Sequence, residues 1–197
     1  MGHGLLFVCH ANLCRSPMAE YLAREMLTQA LGGDGASVPV ASAGTHAVPG
    51  RAMHPHAAQL AAERAIDIRD FRSRPVTPDD LTNAGVVLTA TREERRACAA
   101  LAPRAIPRTF TLRQFARLVT AAVERGWRVV DPNEPPPARV TALVTAAGRA
   151  RALVQPVRAT EDDLADPIGH PLAQFRHCAR EIEAALRPII RAIAGSD

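Results

Sequence analysis

One short stretch, Cys9-His10-Ala11-Asn12-Leu13-Cys14-Arg15, limits what this chain can fold into more than any other. The apolar strand Gly4-Leu5-Leu6-Phe7-Val8 runs straight into it, and the helical run Ser16-Pro17-Met18-Ala19-Glu20-Tyr21-Leu22-Ala23 leaves it. A strand that ends on a sulfur just before a helix places that sulfur at the helix N-terminus. Backbone N–H groups point at a ligand there, and the helix dipole favours negative charge. Arg15 closes the loop with a planar guanidinium that can hold two oxygens of a phosphate. Pro17 suits the first helical turn, where no N–H is needed. Cys9 read only as a small buried hydrophobe would leave Arg15, Ser16 and Pro17 without a reason.

Such a loop is suited to attack on phosphorus. A thiol beside a helix N-terminus and a cation ionises more readily than a free one. Cys9 then attacks in line. Arg15 and the loop residues His10, Ala11, Asn12, Leu13 and Cys14 surround the equatorial oxygens and carry their charge. The Ser16 hydroxyl can hydrogen-bond the sulfur and ease its departure in a second step. An alkoxide or phenolate leaves poorly, so a positioned acid adds about 10²–10⁴-fold. Asp166-Pro167 offers one, with Asp162 and Asp163 as its nearest competitors. Asp before Pro is also a common turn signal.

The segment Val8 to Pro17 resembles the phosphate-binding loop of the low-molecular-weight protein-tyrosine phosphatases. Ser42-Ala43-Gly44-Thr45, after a second apolar run, is similar to that family's second signature, and Asp166-Pro167 to its general-acid motif. The likeness spans about residues 4–110 and 160–195. It implies that Cys9 is the nucleophile and Arg15 the phosphate clamp. Asn12 would shape the loop through a hydrogen-bond network that includes Ser42. Asp166 would protonate the leaving oxygen, then activate water against a phosphocysteine. Cys14 would trap an oxidised Cys9 reversibly and keep it from irreversible oxidation. The expected activity is metal-independent, cofactor-free hydrolysis of a phosphomonoester, carried by a phosphotyrosine-bearing protein or a small aryl phosphate. Two other readings stand beside it. An arsenate reductase could use the same Cys-loop-Arg cradle, but arsenate reduction has no phenolate for Asp166 to protonate. A non-catalytic phosphate-binding module would need neither nucleophile nor acid.

Several positions near the site depart from the family pattern. Ala11 stands where the family usually has Gly, so a positive φ there would be strained. Ile168 and Gly169 follow Pro167 where many relatives carry aromatics, and the loop after Thr45 offers His46, Val48 and Met53. Ring stacking on a phenyl group is therefore weak on this reading. Leu13, bulky and apolar, favours an aryl or alkyl leaving group over a charged one. His10 and His170 are candidates for the mouth. His54 and His56 have no carboxylate or Cys nearby in sequence, so they predict no metal site.

Composition narrows the partners. The 24 basic residues are all Arg, and the net charge is +4, but aromatics make up only 4% and the arginines are scattered. No stacking platform for nucleic acid follows. A mild positive field attracts phosphate esters. No apolar run reaches membrane-spanning length, and Met1-Gly2-His3-Gly4 opens no basic-then-apolar leader and lacks the Ser/Thr of a myristoylation site. A cytoplasmic enzyme is expected. There the four cysteines at positions 9, 14, 98 and 178 would stay reduced, with Cys98 and Cys178 as packing residues.

The order of elements predicts one α/β domain over 1–197: a three-layer sandwich around a four-stranded parallel sheet, flavodoxin-like, with the phosphate loop after the first strand. Strands are expected at about 4–9, 38–42, 85–89 and 106–109. Helices are expected at about 16–31, 56–65, from Thr91, and at 171–193, with a short turn at 77–81. Residues 111–160 exceed the compact pattern and are expected to form a helical insertion, packed on the sheet edge or over the site. Its first helix, Thr111 to Arg125, carries Leu112, Phe115, Leu118, Val119, Ala122 and Val123 at helical spacing. A polyproline turn at Asp131–Pro137 and a helix from Val140 to Leu153 follow.

Overall fold

The computed structural model describes residues 4–155 and 158–195. Met1, Gly2 and His3, on which the reading of the N-terminus rests, lie outside them, as do Pro156 and Val157 of the 111–160 stretch. Four parallel strands, β1 (Leu5–Cys9), β2 (Val40–Gly44), β3 (Val86–Thr89) and β4 (Thr109–Thr111), form one sheet in the order β2-β1-β3-β4. Its register pairs Leu5 with Val40 and Val86, and ends with Cys9 opposite Gly44. The fold is the expected α/β sandwich.

Alternation along the strands explains the layers. Leu5, Phe7 and Cys9, with Val40, Val86, Leu88 and Phe110, face one side. There they meet α1 (Arg15–Leu31), α2 (Pro55–Ala62), α5 (Leu112–Glu124), α6 (Pro136–Ala150) and α7 (Leu172–Ala194). Leu6, Val8, Ala43 and Val87 face the other side, under α3 (Pro78–Asn83), α4 (Arg92–Leu101) and the 3₁₀ turn Pro103–Arg108. Buried on both faces, the strands read as continuous apolar runs. Caps set the helix starts. Thr77 accepts from the Asp80 amide at 3.1 Å while Asp80 accepts from the Thr77 amide at 3.0 Å, a reciprocal capping box for α3. Thr91 caps α4, and Thr111 caps α5 by accepting from the Gln114 amide at 3.1 Å.

Several boundaries differ from the sequence expectation. The second strand is Val40–Gly44, two residues later than 38–42. The second helix stops at Ala62 rather than 65, and Ala65 takes a φ of +56°. The fourth strand is Thr109–Thr111, because Ile106 lies in the 3₁₀ turn and Pro107 has no N–H for a ladder. The last expected turn ends earlier than Pro137. Pro135 is extended at φ −62° and ψ 146°, and α6 begins at Pro136, since proline is tolerated in a first helical turn.

Within the stretch expected as an insertion, α5 packs against both α6 and α7. Leu112, Phe115, Leu118 and Val119 of α5, and Val140, Leu143, Ala147 and Ala150 of α6, join the core that α1 and α7 share. Val123, expected on the inner stripe, is instead 45% exposed. Among the described residues no helix is long and apolar enough to cross a membrane. Replacing fully buried Leu118 by Ala is expected to cost about 2–5 kcal/mol. Val123→Ala, on the exposed side of the same helix, should stay within about 0.5 kcal/mol. Urea unfolding of the two variants checks both.

Candidate active site

Cys9 is the last residue of β1 and Arg15 the first of α1, so the loop between them sits at the carboxyl end of the sheet. Its carbonyls are turned outward and used. Cys9 O accepts from the Thr45 amide at 2.9 Å, His10 O from His46 at 2.9 Å, Leu13 O from His54 at 3.0 Å and Cys14 O from Met18 at 3.0 Å. Among the described residues, no protein group accepts from the amides of His10 to Cys14. Those N–H groups, with the N-terminus of a 17-residue helix that has no acid in its first turn, form an anion cradle.

Asn12 gives the loop its shape. It is fully buried with φ +54°, a left-handed conformation that Asn tolerates. The strain expected at Ala11 is therefore absent: the positive φ falls one residue later. Asn12 Nδ2 donates to Ser16 Oγ and to Ser42 Oγ, both at 2.9 Å, and its Oδ1 accepts from the Arg74 amide at 2.9 Å. Ser16 Oγ lies 3.0 Å from Cys9 Sγ and 3.1 Å from Ala43 O. The hydroxyl has a single proton and two takers. An ionised sulfur is the stronger acceptor, so Ser16 turns to it once Cys9 is a thiolate.

Arg15 is 6% exposed and meets three acceptors. Nη1 donates to Leu164 O at 3.3 Å, Nη2 to Asp166 Oδ2 at 2.7 Å, and Nη2 lies 3.6 Å from Glu94 Oε1. The two acids differ. The Glu94 side chain is 6% exposed and accepts from Thr91 Oγ1, while that of Asp166 is 44% exposed. The strap carrying Asp166 is pinned. Leu164 N donates to Ala90 O at 2.9 Å, and Asp163 Oδ1 accepts from the Arg92 amide at 2.7 Å. Arg117 holds Asp162 at 3.0 and 3.1 Å. Asp162 and Asp163 are thus engaged away from the loop, while Asp166, which also accepts from the Ile168 amide at 3.1 Å, lies in reach of solvent and of Arg15.

The remaining candidates divide. His10 is exposed and stacks on His46, ring centroids 4.5 Å apart, and Leu13 is half-buried at the loop crest. His170 is exposed and its amide donates to Pro167 O at 3.1 Å. The Cys14 side chain lies in the core, so only its amide faces a ligand. Burial foremost, then the charge of Cys9, pushes the Cys14 thiol up to about 12. Met53 is buried against the core rather than at the mouth, whereas Val48 and Ile168 are 60% and 45% exposed. His54 stacks on Phe175 at 4.7 Å, a packing role.

Sequence reasoning missed Glu94, the Leu164 carbonyl and the Arg74 amide. Glu94 and Glu93 are adjacent acids in the first turn after Thr91, and nothing in that local sequence tells which one turns inward. It also missed why Gly44 is there: a Cβ on it would lie 2.6 Å from His10 O and 2.8 Å from Asn12 N.

The model of the low molecular weight phosphotyrosine protein phosphatase family matches residues 4–147. The chain belongs to that family. Among its relatives is a protein-arginine-phosphatase of Bacillus subtilis (strain 168), 33% identical over 111 residues, which are 56% of this chain and 71% of the relative. A probable low molecular weight protein-tyrosine-phosphatase EpsP of Ralstonia solanacearum is 35% identical over 92 residues, 47% of this chain and 58% of that one. The crystal structure of the low molecular weight protein tyrosine phosphatase from T. tengcongensis is 27% identical, with a TM-score of 0.66 over 95% of this chain and 97% of that one. The family makes the chain a cysteine-dependent phosphatase.

Two outcomes follow from this geometry. Gly44→Ala should push the loop off its backbone position and abolish turnover, while the far-ultraviolet circular dichroism stays native. Cys14, Cys98 and Cys178, all with thiols pushed up to about 12 by burial, should escape iodoacetamide at pH 8. Mass spectrometry should then find one alkylated residue, Cys9, in step with loss of activity.

Proposed function

We propose that this chain is a metal-independent protein-tyrosine phosphatase that works through a phosphocysteine intermediate. The phosphate enters the cradle of loop amides and displaces Asp166 from Arg15, whose guanidinium turns to the oxygens. Glu94 and the Leu164 carbonyl keep that guanidinium in place. Released from Arg15, Asp166 takes a proton from solvent; Cys9 Sγ attacks phosphorus, the ester bond breaks, and Asp166 gives that proton to the departing phenolate. Asp166, now ionised, takes a proton from water as the water oxygen attacks phosphorus. The P–S bond breaks, Ser16 supports the sulfur as it becomes a thiolate again, and inorganic phosphate leaves.

The observation that carries the tyrosine reading is Leu13, an apolar, half-buried side chain packed against the core in the middle of the loop. It gives an aryl ring a contact and gives a guanidinium nothing to bond. Phosphoarginine is the second reading, supported by the B. subtilis relative's name and by the lack of an aromatic wall beside Asp166. We place the enzyme in the cytoplasm, where its four unpaired thiols remain reduced.

The discriminating measurement is kcat/KM on matched phosphotyrosine and phosphoarginine peptides without added metal. A ratio favouring phosphotyrosine at least tenfold is expected, and a reversed ratio would overturn the tyrosine assignment. Leu13→Ala should lower phosphotyrosine turnover about tenfold, the scale of one lost apolar contact. Asp166→Asn should slow aryl phosphates with poor leaving groups by about 10²–10⁴-fold and activated ones far less. Equal losses on both would remove Asp166 from the proton-donor role.

A further inference from the structure

One polar feature lies outside the phosphatase chemistry. β4 is a free edge of the sheet, with α4 against one face and α6 against the other. An arginine from each side reaches round that edge to the same backbone oxygen. Arg95 Nε donates to Thr109 O at 3.2 Å, and Arg151 Nη2 donates to it at 3.3 Å. Two guanidiniums that share one acceptor are close neighbours, and both residues are half-buried. Neither has a carboxylate partner among the described residues. Asp162, whose charge Arg95 feels, is held bidentately by Arg117, and Arg92 and Arg96 add positive charge beside Arg95. Arg151 lies over the Phe110 ring at 4.2 Å, which spreads its charge but satisfies no N–H. Its Nε is buried without any acceptor.

Burial foremost lowers both groups from the ordinary arginine value, with the charge of Arg92 adding to it at Arg95 and the charge of Arg95 adding to it at Arg151. Partly desolvated like charges repel, and a buried donor without an acceptor is costly. A water molecule would leave the repulsion in place. An oxyanion between the two guanidiniums offsets it, and a doubly charged tetrahedral one fits two planar forks best.

We propose that Arg95 and Arg151 form a second oxyanion site, of phosphate class, on the β4 edge. Arg95 offers its two Nη groups, and Arg151 its Nη1; none of these has a protein acceptor among the described residues. Occupied, the site ties the start of α4 to the end of α6 through the ion. The ligand is free phosphate, which the Cys9 chemistry releases, or a phosphoryl group on a protein chain; the recognition is the same. The site stands independently of the tyrosine reading.

Calorimetric titration of the full chain with inorganic phosphate tests it. Wild type is expected to bind two phosphates. Arg15→Met should bind one, at the edge; Arg95→Met and Arg151→Met should each bind one, at the Cys9 loop, with edge affinity at least tenfold weaker. Turnover of p-nitrophenyl phosphate should be unchanged in the two edge variants. Circular dichroism confirms that each is folded, and the Arg95 variant serves if the Arg151 one is not. A single phosphate on wild type, or two retained in both edge variants, overturns the proposal. A wild type without turnover that still binds phosphate at the edge would sink the phosphatase reading and leave this site standing. On Arg15→Met, displacement of phosphate by a phosphopeptide assigns the site to protein-borne phosphoryl groups, and failure to displace it assigns it to the free ion; either result keeps the site.

Discussion

The structure depends on one buried amide. Asn12 reaches three separate parts of the chain at once: the first turn of α1 through Ser16, the body of β2 through Ser42, and the segment after α2 through the Arg74 amide. A loop of five residues between a strand and a helix has many conformations of similar energy. Three simultaneous hydrogen bonds in a water-free place select one of them, because losing any would leave a buried polar atom unpaired. The selected conformation engages the carbonyls of Cys9, His10, Leu13 and Cys14 with the surrounding chain and leaves the loop amides for a ligand. The anion cradle is a consequence of satisfying Asn12, and it exists before any phosphate arrives.

Around that cradle the charges are arranged by mobility. Arg15 has one buried counter-ion, Glu94, and one exposed one, Asp166. Only the exposed acid can exchange its ion pair for a phosphate without leaving a charge stranded in the interior. The strap that carries it is fixed just before Asp166, by Asp163 on the start of α4 and by Leu164 on Ala90, which favours exchange by side-chain rotation.

Much of this was legible in the sequence, and the limit has a physical form. Strand, loop and helix over residues 4–31 are local: the apolar run of the strand and a Pro in the first helical turn act within a few residues. The same holds for the Thr77 and Thr91 caps. What failed were boundaries. β4 starts late because Pro107, two residues before it, forbids a ladder, while the end of β2 is set from afar by its register against Cys9. The partners of Arg15 were unreadable for the same reason. Leu164 offers a carbonyl, which every residue has, and Glu94 is one of two adjacent acids whose inward turn is decided by tertiary packing. The inner stripe of α5 was read correctly at Leu118 and Val119 but overextended to Val123, where the neighbouring helix no longer covers it.

The shortest strand also bears on how the molecule behaves in a crowded solution. An open sheet margin exposes backbone groups to which a foreign strand can add. Here β4 has only three residues, and the Thr109 carbonyl is already taken by side chains from above and below. The margin is too short and too occupied to template an intruder, so the chain keeps an open parallel sheet without inviting fibrous self-assembly along it.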